Sequence, residues 1–251
     1  MYINKVTTEV YKKILDYKLE KCNYASLTVY TDQHLDEHLD IINIITSNPK
    51  YSKQYILSNY SEILLGQIYN DFKNDKRIYN VKEHVRKIKK SSFRKCESND
   101  ELENFLYQHE SENRKSSIFS AIQSFVYNNF TTQFIEEYRS KIVKIKDELY
   151  EHELTPFHKK EAFYKKEYIF QLDDELKQII HNTYLYDWSF PMKLEDLSLF
   201  VENYLWIYSV THEELCYIYC ETEEEYNYLK SMGVEFYEEH FIPQEKQEIV
   251  F

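Results

Sequence analysis

Hydrophobic positions in the first 150 residues recur mainly at the three- and four-residue spacing of amphipathic helices. Val10, Ile14 and Tyr17 mark one helical face, whereas the short apolar stretch from Leu27 to Tyr30 is compatible with a strand. Thr31 is placed to cap a following helix. The apolar positions of the next predicted helices are Leu35, Leu39, Ile42 and Ile45, then Ile56, Tyr60, Ile63 and Ile68, then Ile78, Val81, Val85 and Ile88, and finally Leu102, Phe105 and Leu106.

The last helical pattern in this half is the longest. A break is expected at Asn128-Asn129, and the pattern otherwise runs through Ile118, Ile122, Phe125, Phe134, Tyr138, Ile142, Ile145 and Leu149. Helices of this spacing, each with one apolar stripe, pack together as a bundle. The sequence therefore predicts a helical domain over residues 1–155, ending at Thr155-Pro156, where proline stops the helix.

The pattern of apolar residues changes after residue 155, and residues 156–251 predict a small acidic, aromatic-rich α/β module. A helix is expected around Asp173 to Thr183, and Glu202-Asn203 is placed to turn a tight hairpin. Short apolar or aromatic runs predict three strands at Leu197 to Phe200, Tyr204 to Val210 and Leu215 to Cys220.

Thr222-Glu223-Glu224-Glu225 is a capping box, and Gly233 supplies the glycine that commonly ends a helix. A helix from Thr222 to Met232 and a strand from Val234 to Tyr237 complete a β-β-β-α-β order. The predicted fold class is thus α+β and mainly α: an N-terminal helical bundle followed by a small C-terminal α/β module with a short antiparallel sheet.

The amino-acid composition argues against several common classes of enzyme. The chain has only two glycines, Gly66 and Gly233, and no glycine-rich phosphate loop, dinucleotide fingerprint or nucleophile elbow. We therefore expect no nucleotide cofactor, and we lean towards a protein that is not an enzyme. Four scattered cysteines and the lack of an 18-residue apolar window indicate reduced thiols, a cytoplasmic location and no membrane contact.

Charge is segregated along the chain. The segment from Lys73 to Lys95 holds ten Lys or Arg and two acidic residues, whereas residues 195–251 hold fourteen acidic residues and two lysines. The basic segment could grip phosphates, which makes a nucleic-acid-associated protein using residues 73–95 one alternative function. The formal net charge of −12 opposes that reading and favours a protein partner, because the field of the whole chain repels nucleic acid.

His34-Leu35-Asp36-Glu37-His38 has the H-x-x-E-H spacing with which two histidines one helical turn apart bind zinc beside a glutamate base. Glu110 or Glu112 would have to supply a third ligand. Such a short pattern arises by chance in a chain with nine histidines, so His34, Glu37 and His38 are only weak metal candidates and we expect no bound metal. A metal-dependent hydrolase or nuclease without a recognisable motif is the other alternative.

The favoured binding surface lies in the acidic C-terminal module. Strand alternation places Tyr217 and Tyr219 on the face opposite Cys216 and Ile218, close in sequence to Glu223, Glu224 and Glu225. Tyrosines with acidic residues around them suit a basic protein partner. The sequence therefore predicts a protein-binding or inhibitory protein, of immunity or anti-defence type, that binds through Tyr217, Tyr219, Glu223, Glu224 and Glu225.

Overall fold

A computed structural model of the chain describes residues 1–3, 6–30, 35–80, 98–152, 161–243, 245 and 247–249. The strands are β1 (Tyr2–Ile3), β2 (Cys22–Tyr30), β3 (Ile142–His152), β4 (Glu161–Gln171), β5 (Glu195–Val201), β6 (Tyr204–Val210) and β7 (Leu215–Ile218). The α-helices are α1 (Thr8–Lys18), α2 (Leu35–Thr46), α3 (Lys53–Asn59), α4 (Glu62–Phe72), α5 (Asn99–Gln108), α6 (Glu110–Glu137), α7 (Asp174–Asn182) and α8 (Glu223–Ser231). Single 3₁₀ turns occupy Leu19–Lys21, Pro49–Tyr51, Arg139–Lys141, Leu185–Asp187 and Thr211–Glu213.

The described strands form one seven-stranded sheet in the order β1-β7-β6-β5-β2-β4-β3. In this spatial order, each pair of neighbouring strands from β1, through β7, β6, β5 and β2, to β4 is antiparallel. β2 comes from the first thirty residues, yet it lies between β5 and β4, pairing Ala25 with both Leu199 and Phe170. The sheet is therefore assembled from both ends of the sequence.

The predicted fold class is wrong for this reason. An N-terminal bundle followed by a small module with a short sheet requires the sheet to be local in sequence, but β2 is a central strand of nine residues. Its pairing with strands more than 130 residues away leaves no mark in the local hydrophobic pattern, which reports only the period of each segment.

The predicted long helix is also corrected. α6 passes through Asn128-Asn129 without a break, and the side-chain amide of Asn129 donates to the Phe125 carbonyl one turn earlier, at 2.8 Å. The helix ends at Glu137, and Ile142 and Ile145 lie in β3. Val143 and Ile145 also fit the two-residue period of a strand, so the spacing is ambiguous between helix and strand.

The predicted third helix is divided in two. α3 ends at Asn59, and Ser61 begins α4 by accepting a hydrogen bond from the Leu64 amide at 3.2 Å. This new cap turns Leu64, Leu65 and Ile68 inward and leaves Ile63 75% exposed. Of the predicted helix through Ile78, Val81, Val85 and Ile88, Ile78 lies in a turn and the other three lie outside the described residues, as does the predicted Thr31 cap.

The structure agrees with most of the local predictions for the C-terminal part of the chain. β5 and β6 form a hairpin through Glu202-Asn203, with Glu202 at φ 54°, and α7 begins at its cap Asp173. α8 begins at Thr222, whose hydroxyl accepts from the Glu225 amide at 3.1 Å, and Gly233 follows the helix at φ 98°. The expected last strand is reduced to an isolated bridge between Phe236 and Ile3.

The chain divides into two compact units. Unit 1 comprises Met1–Thr31, Phe130–Glu148 and Tyr164–Phe251, and unit 2 comprises Asp32–Asn129 and Leu149–Phe163. The predicted boundary at Thr155-Pro156 lies outside the described residues and stays a prediction. Among the described helices, none combines the length and apolar character that crossing a bilayer needs.

Unit 1 has its main core on one face of the sheet. Helices α1, α7 and α8 and the end of α6 pack there against inward side chains of the strands, including Leu199, Ile207, Cys216 and Ile218. Alternate residues of the same strands lie on the opposite face, which carries a smaller cluster around Ile169 and Phe200. The sheet thus presents a second face that α1, α7 and α8 do not cover.

Candidate functional site: a tyrosine row on the sheet

β7 alternates as the sequence predicts, with Cys216 and Ile218 buried and Tyr217 half-buried on the other face. In the register of the sheet, Tyr217 pairs with Tyr2 of β1 on one side and with Tyr208 of β6 on the other. Directly paired residues share a face, so the three side chains lie next to one another. Two consecutive strands near the C-terminus and one strand from the start of the chain therefore contribute to one aromatic surface.

The rings are close enough to interact. Ring centroids lie 5.4 Å apart for Tyr2 and Tyr217 and 6.1 Å apart for Tyr208 and Tyr217, and the second pair is stacked with 24° between the planes. Tyr237 extends the series, 6.1 Å from Tyr2, and is 73% exposed. We call Tyr237, Tyr2, Tyr217 and Tyr208 the tyrosine row.

Tyr219 follows β7 and is half-buried, with its amide donating to the Trp206 carbonyl at 2.8 Å. Burial raises the pKa of its phenol, and Tyr217 adds to this effect. Burial likewise raises the pKa of Tyr208 to about 12, with further contributions from Asp196 and Tyr217. Both phenols therefore remain neutral hydrogen-bond donors throughout the physiological pH range.

Carboxylates adjoin the Tyr208 end of the row. Ser198 pairs with Tyr208, and Glu195 and Asp196 precede it on the same strand. Asp196 is fully engaged: it accepts from the Tyr30 hydroxyl at 2.8 Å and from the Thr211 amide at 2.9 Å. Its backbone, at φ 55°, sits where the register between β2 and β5 shifts.

Glu195 has no such partners among the described residues, although its side chain is buried, with 8% of the residue exposed. Burial raises the pKa of this carboxyl to about 7, and the neighbouring charge of Asp196 acts in the same direction. A carboxyl in this state changes charge near neutral pH. It lies opposite Thr28 of β2, on the same face as the tyrosine row.

The structure separates two groups that the sequence places together. Tyr217 lies on the second face of the sheet, whereas α8 packs Tyr226 and Leu229 into the core on the first face. Of the three predicted glutamates, Glu223 and Glu224 are exposed and Glu225 is buried.

Glu225 has a structural role at the start of α8. One carboxylate oxygen accepts from Lys18 Nζ at 2.7 Å and the other from the Glu221 amide at 2.8 Å, while both Lys18 and Glu225 are buried. The carboxylate therefore reaches back one residue further than the capping box predicts, to Glu221 instead of Thr222. A buried pair of this kind is costly to break, so Glu225 is not free to meet a partner.

Sequence reasoning missed Tyr2, Tyr208, Tyr237, Glu195 and Asp196. The two-residue alternation of β6 could have placed Tyr208 on the second face, once β6 was taken as the neighbour of β7. Tyr2 joins the row only through the pairing of β1 with β7, which spans more than 210 residues. No local signal could have indicated that contact.

The described residues give no support to the metal-binding candidates or to the basic segment. His34 lies outside the described residues, and in the described ranges no group of three or more His, Cys, Asp or Glu side chains could hold a metal ion. Most of the basic segment, residues 81–95, is likewise outside the described residues.

Comparison of the chain with protein-family models, with curated proteins and with solved structures finds no match. The function must therefore be argued from the geometry of the tyrosine row and from the charges around it.

Proposed function

We propose that this chain is a protein-binding protein that holds a partner with a basic surface against the tyrosine row. The observation that supports this function is the unbroken series of four rings, each within 6.1 Å of the next, of which Tyr237 is exposed and Tyr2, Tyr208 and Tyr217 are half-buried. The row extends the predicted site at Tyr217 across three further tyrosines.

Tyrosine suits this role for physical reasons. Its ring is large and rigid, so it loses little conformational freedom on binding, and its hydroxyl can meet a polar group at the edge of an interface. Rings held in place by a sheet and by one another are already ordered in the free protein. The main energetic contribution to binding is expected from such pre-ordered aromatic side chains.

Acidic residues explain the choice of a basic partner. Glu213 lies close enough to raise the pKa of Tyr208, and Glu238 accepts a hydrogen bond from the Tyr2 amide at 3.2 Å. Glu223 and Glu224 add exposed negative charge at the start of α8, and the whole chain carries −12. Such charges accelerate association with a basic surface more than they slow dissociation.

The same surface would serve an inhibitor of immunity or anti-defence type. If the partner is a toxin or a defence enzyme with a basic working surface, covering that surface with the tyrosine row blocks its activity. Inhibition would then be steric, and a stoichiometric loss of the partner's activity would measure it.

The proposal is tested by capturing the partner from the cells that encode the chain and then measuring its binding kinetics to purified variants. Replacing Tyr217 and Tyr208 by alanine should increase the dissociation rate at least tenfold. Replacing Glu213, Glu223 and Glu224 by glutamine should slow association and flatten its dependence on salt. Tyr107→Ala removes a tyrosine that is 49% exposed and outside the row, and should leave both rates unchanged.

Two results would contradict the proposal. One is a captured partner whose dissociation is the same from the wild-type chain and from the Tyr208 and Tyr217 double variant, provided that the variant melts cooperatively. The other is a partner that requires only residues 73–95, since such a partner would move the contact to the basic segment and favour the nucleic-acid alternative.

A further inference from the structure

A cavity of about 300 Å³ lies on the helical side of the sheet in unit 1, away from the tyrosine row. Its walls come from the last two turns of α6, from α7 and from the segment between Trp188 and Leu194. This volume is at the lower end of the range for small-molecule sites in proteins. The cavity therefore fits a compact ligand of about a dozen heavy atoms.

Aromatic side chains form a fixed wall of the cavity. Phe134 meets Trp188 edge to face with ring centroids 6.3 Å apart, and its other side meets Phe170 at 5.8 Å in the same geometry. Trp188 is almost fully buried, and its indole N–H has no hydrogen-bond partner among the described residues. Rings held in this way form a rigid apolar corner against which an aromatic ring of a ligand can pack edge to face or face to face.

Lys193 brings a positive charge to this wall. Its Nζ lies 5.1 Å from the centre of the Trp188 ring and donates to the Thr183 hydroxyl at 3.0 Å. Burial lowers the pKa of this amine, although Asp187 partly offsets the effect. An ammonium group has three N–H donors, and Thr183 takes one of them. Lys193 can therefore donate to an anionic group of a ligand.

Glu137 brings a negative charge to the mouth of the same cavity. It is exposed on α6, one turn after Gln133, which also lines the cavity. The Tyr138 hydroxyl donates weakly to one Glu137 carboxylate oxygen, at 3.4 Å, and the second oxygen has no hydrogen bond to a described residue. The lining thus offers one cation and one anion around an aromatic wall.

We propose that this cavity binds a small zwitterionic aromatic molecule with the size and charge pattern of a free aromatic amino acid. The ring packs against Phe134 and Trp188, the carboxylate accepts from Lys193, and the ammonium group faces Glu137. A ligand carrying both charges matches the lining, whereas a ligand without a carboxylate leaves the half-buried Lys193 ammonium without an anionic partner. This inference does not depend on the proposed protein partner.

The test is isothermal titration of the full chain with three probes: L-phenylalanine, 3-phenylpropionate and phenethylamine. The two analogues keep the ring and lose the ammonium group or the carboxylate, respectively. We expect saturable one-to-one binding of L-phenylalanine and weaker binding of both analogues, with a loss of at least tenfold for phenethylamine, which leaves the half-buried Lys193 unpaired, and a smaller loss for 3-phenylpropionate, because Glu137 is exposed. Lys193→Met should abolish the preference for L-phenylalanine over phenethylamine, and Glu137→Gln should abolish its preference over 3-phenylpropionate.

Matched controls separate recognition from a general loss of charge. Lys12→Met changes an exposed lysine of α1, and Glu136→Gln changes the exposed residue next to Glu137 that does not line the cavity. Both should bind L-phenylalanine as the wild-type chain does. Absence of saturable binding of L-phenylalanine to the folded wild-type chain would overturn the proposal. Equal binding of all three probes, or binding that Lys193→Met and Glu137→Gln leave unchanged, would also overturn it.

Discussion

Glu195 lies in an environment that disfavours the charge of its side chain. Its carboxyl is buried beside Asp196, and burial raises its pKa from 4.5 to about 7. Raising the folded-state pKa of an acid means that the folded chain binds a proton which the unfolded chain releases. The free energy of unfolding should therefore decrease as the pH rises from about 4.5 to about 7, and the loss is complete above that interval.

Glu195→Gln should remove this dependence. At pH 8 the variant should be more stable than the wild-type chain by about 1 to 3 kcal/mol, because the wild-type chain then carries a buried charge. At pH 4.5 the two should be nearly equal. Urea unfolding across this pH range measures the difference, and Glu235→Gln, which removes an exposed carboxyl, is the matched control. Parallel pH profiles for Glu195→Gln and the wild-type chain would contradict the expectation.

At the scale of elements, the starts of the C-terminal helices are features that the sequence predicts well. Thr222 and Asp173 both cap the helices they precede, each accepting from the amide three residues later. A cap depends on a few consecutive residues, so the sequence contains all the information that it needs. Strand alternation in β7 is equally local, which is why Tyr217 could be placed on the correct face.

The cap of α8 gives a direct measurement. Thr222→Ala removes the hydroxyl that accepts from the Glu225 amide and should lower the free energy of unfolding by about 1 kcal/mol. Thr222→Ser keeps the acceptor and should recover most of that loss. Equilibrium unfolding by circular dichroism checks both variants, and equal stabilities of the alanine and serine variants would show that the hydroxyl does not stabilise the helix.

Elements joined over long distances in the sequence could not be predicted. β2 and α1 come from the first thirty residues, and the local pattern says nothing about whether β2 pairs with a neighbour or with β5. The tyrosine row depends on the same kind of pairing, since Tyr2 reaches Tyr217 only through β1 and β7. The sequence thus predicted one member of the row and could not predict the surface.

For the whole molecule, the position of β2 decides which fragments can fold. Residues 156–251 expressed alone lack β1 and β2, so β5 and β4 would each lose a partner and expose unpaired backbone groups along a central seam of the sheet. We expect this fragment to be unfolded or aggregated in a two-dimensional NMR spectrum. Co-expression with residues 1–155 should restore a folded complex.

This experiment also tests the predicted domain boundary. A dispersed spectrum and a cooperative melt for residues 156–251 alone would support an independent C-terminal module, and would contradict the expectation that β2 is required for the sheet to fold. The cut after residue 155 falls between β3 and β4, so it removes no described strand from the pair of fragments.

The reaction rates of the three buried cysteines of unit 1 measure how often the sheet opens locally. Cys22, Cys216 and Cys220 are at most 5% exposed, and burial raises the pKa of each thiol to about 12. Alkylation requires a thiolate that the reagent can reach, so labelling proceeds only in molecules whose sheet has opened locally. With Cys96 replaced by serine, mass spectrometry after iodoacetamide treatment should show labelling at least a hundredfold slower than in urea.

Cys216 and Tyr217 are neighbours in β7 on opposite faces of one strand. A partner bound over the tyrosine row must come off before β7 can open, so its binding should slow the labelling of Cys216 in proportion to its occupancy. Labelling of Cys216 on one face of the sheet would then report binding of a partner to the other face, without any probe placed in the interface.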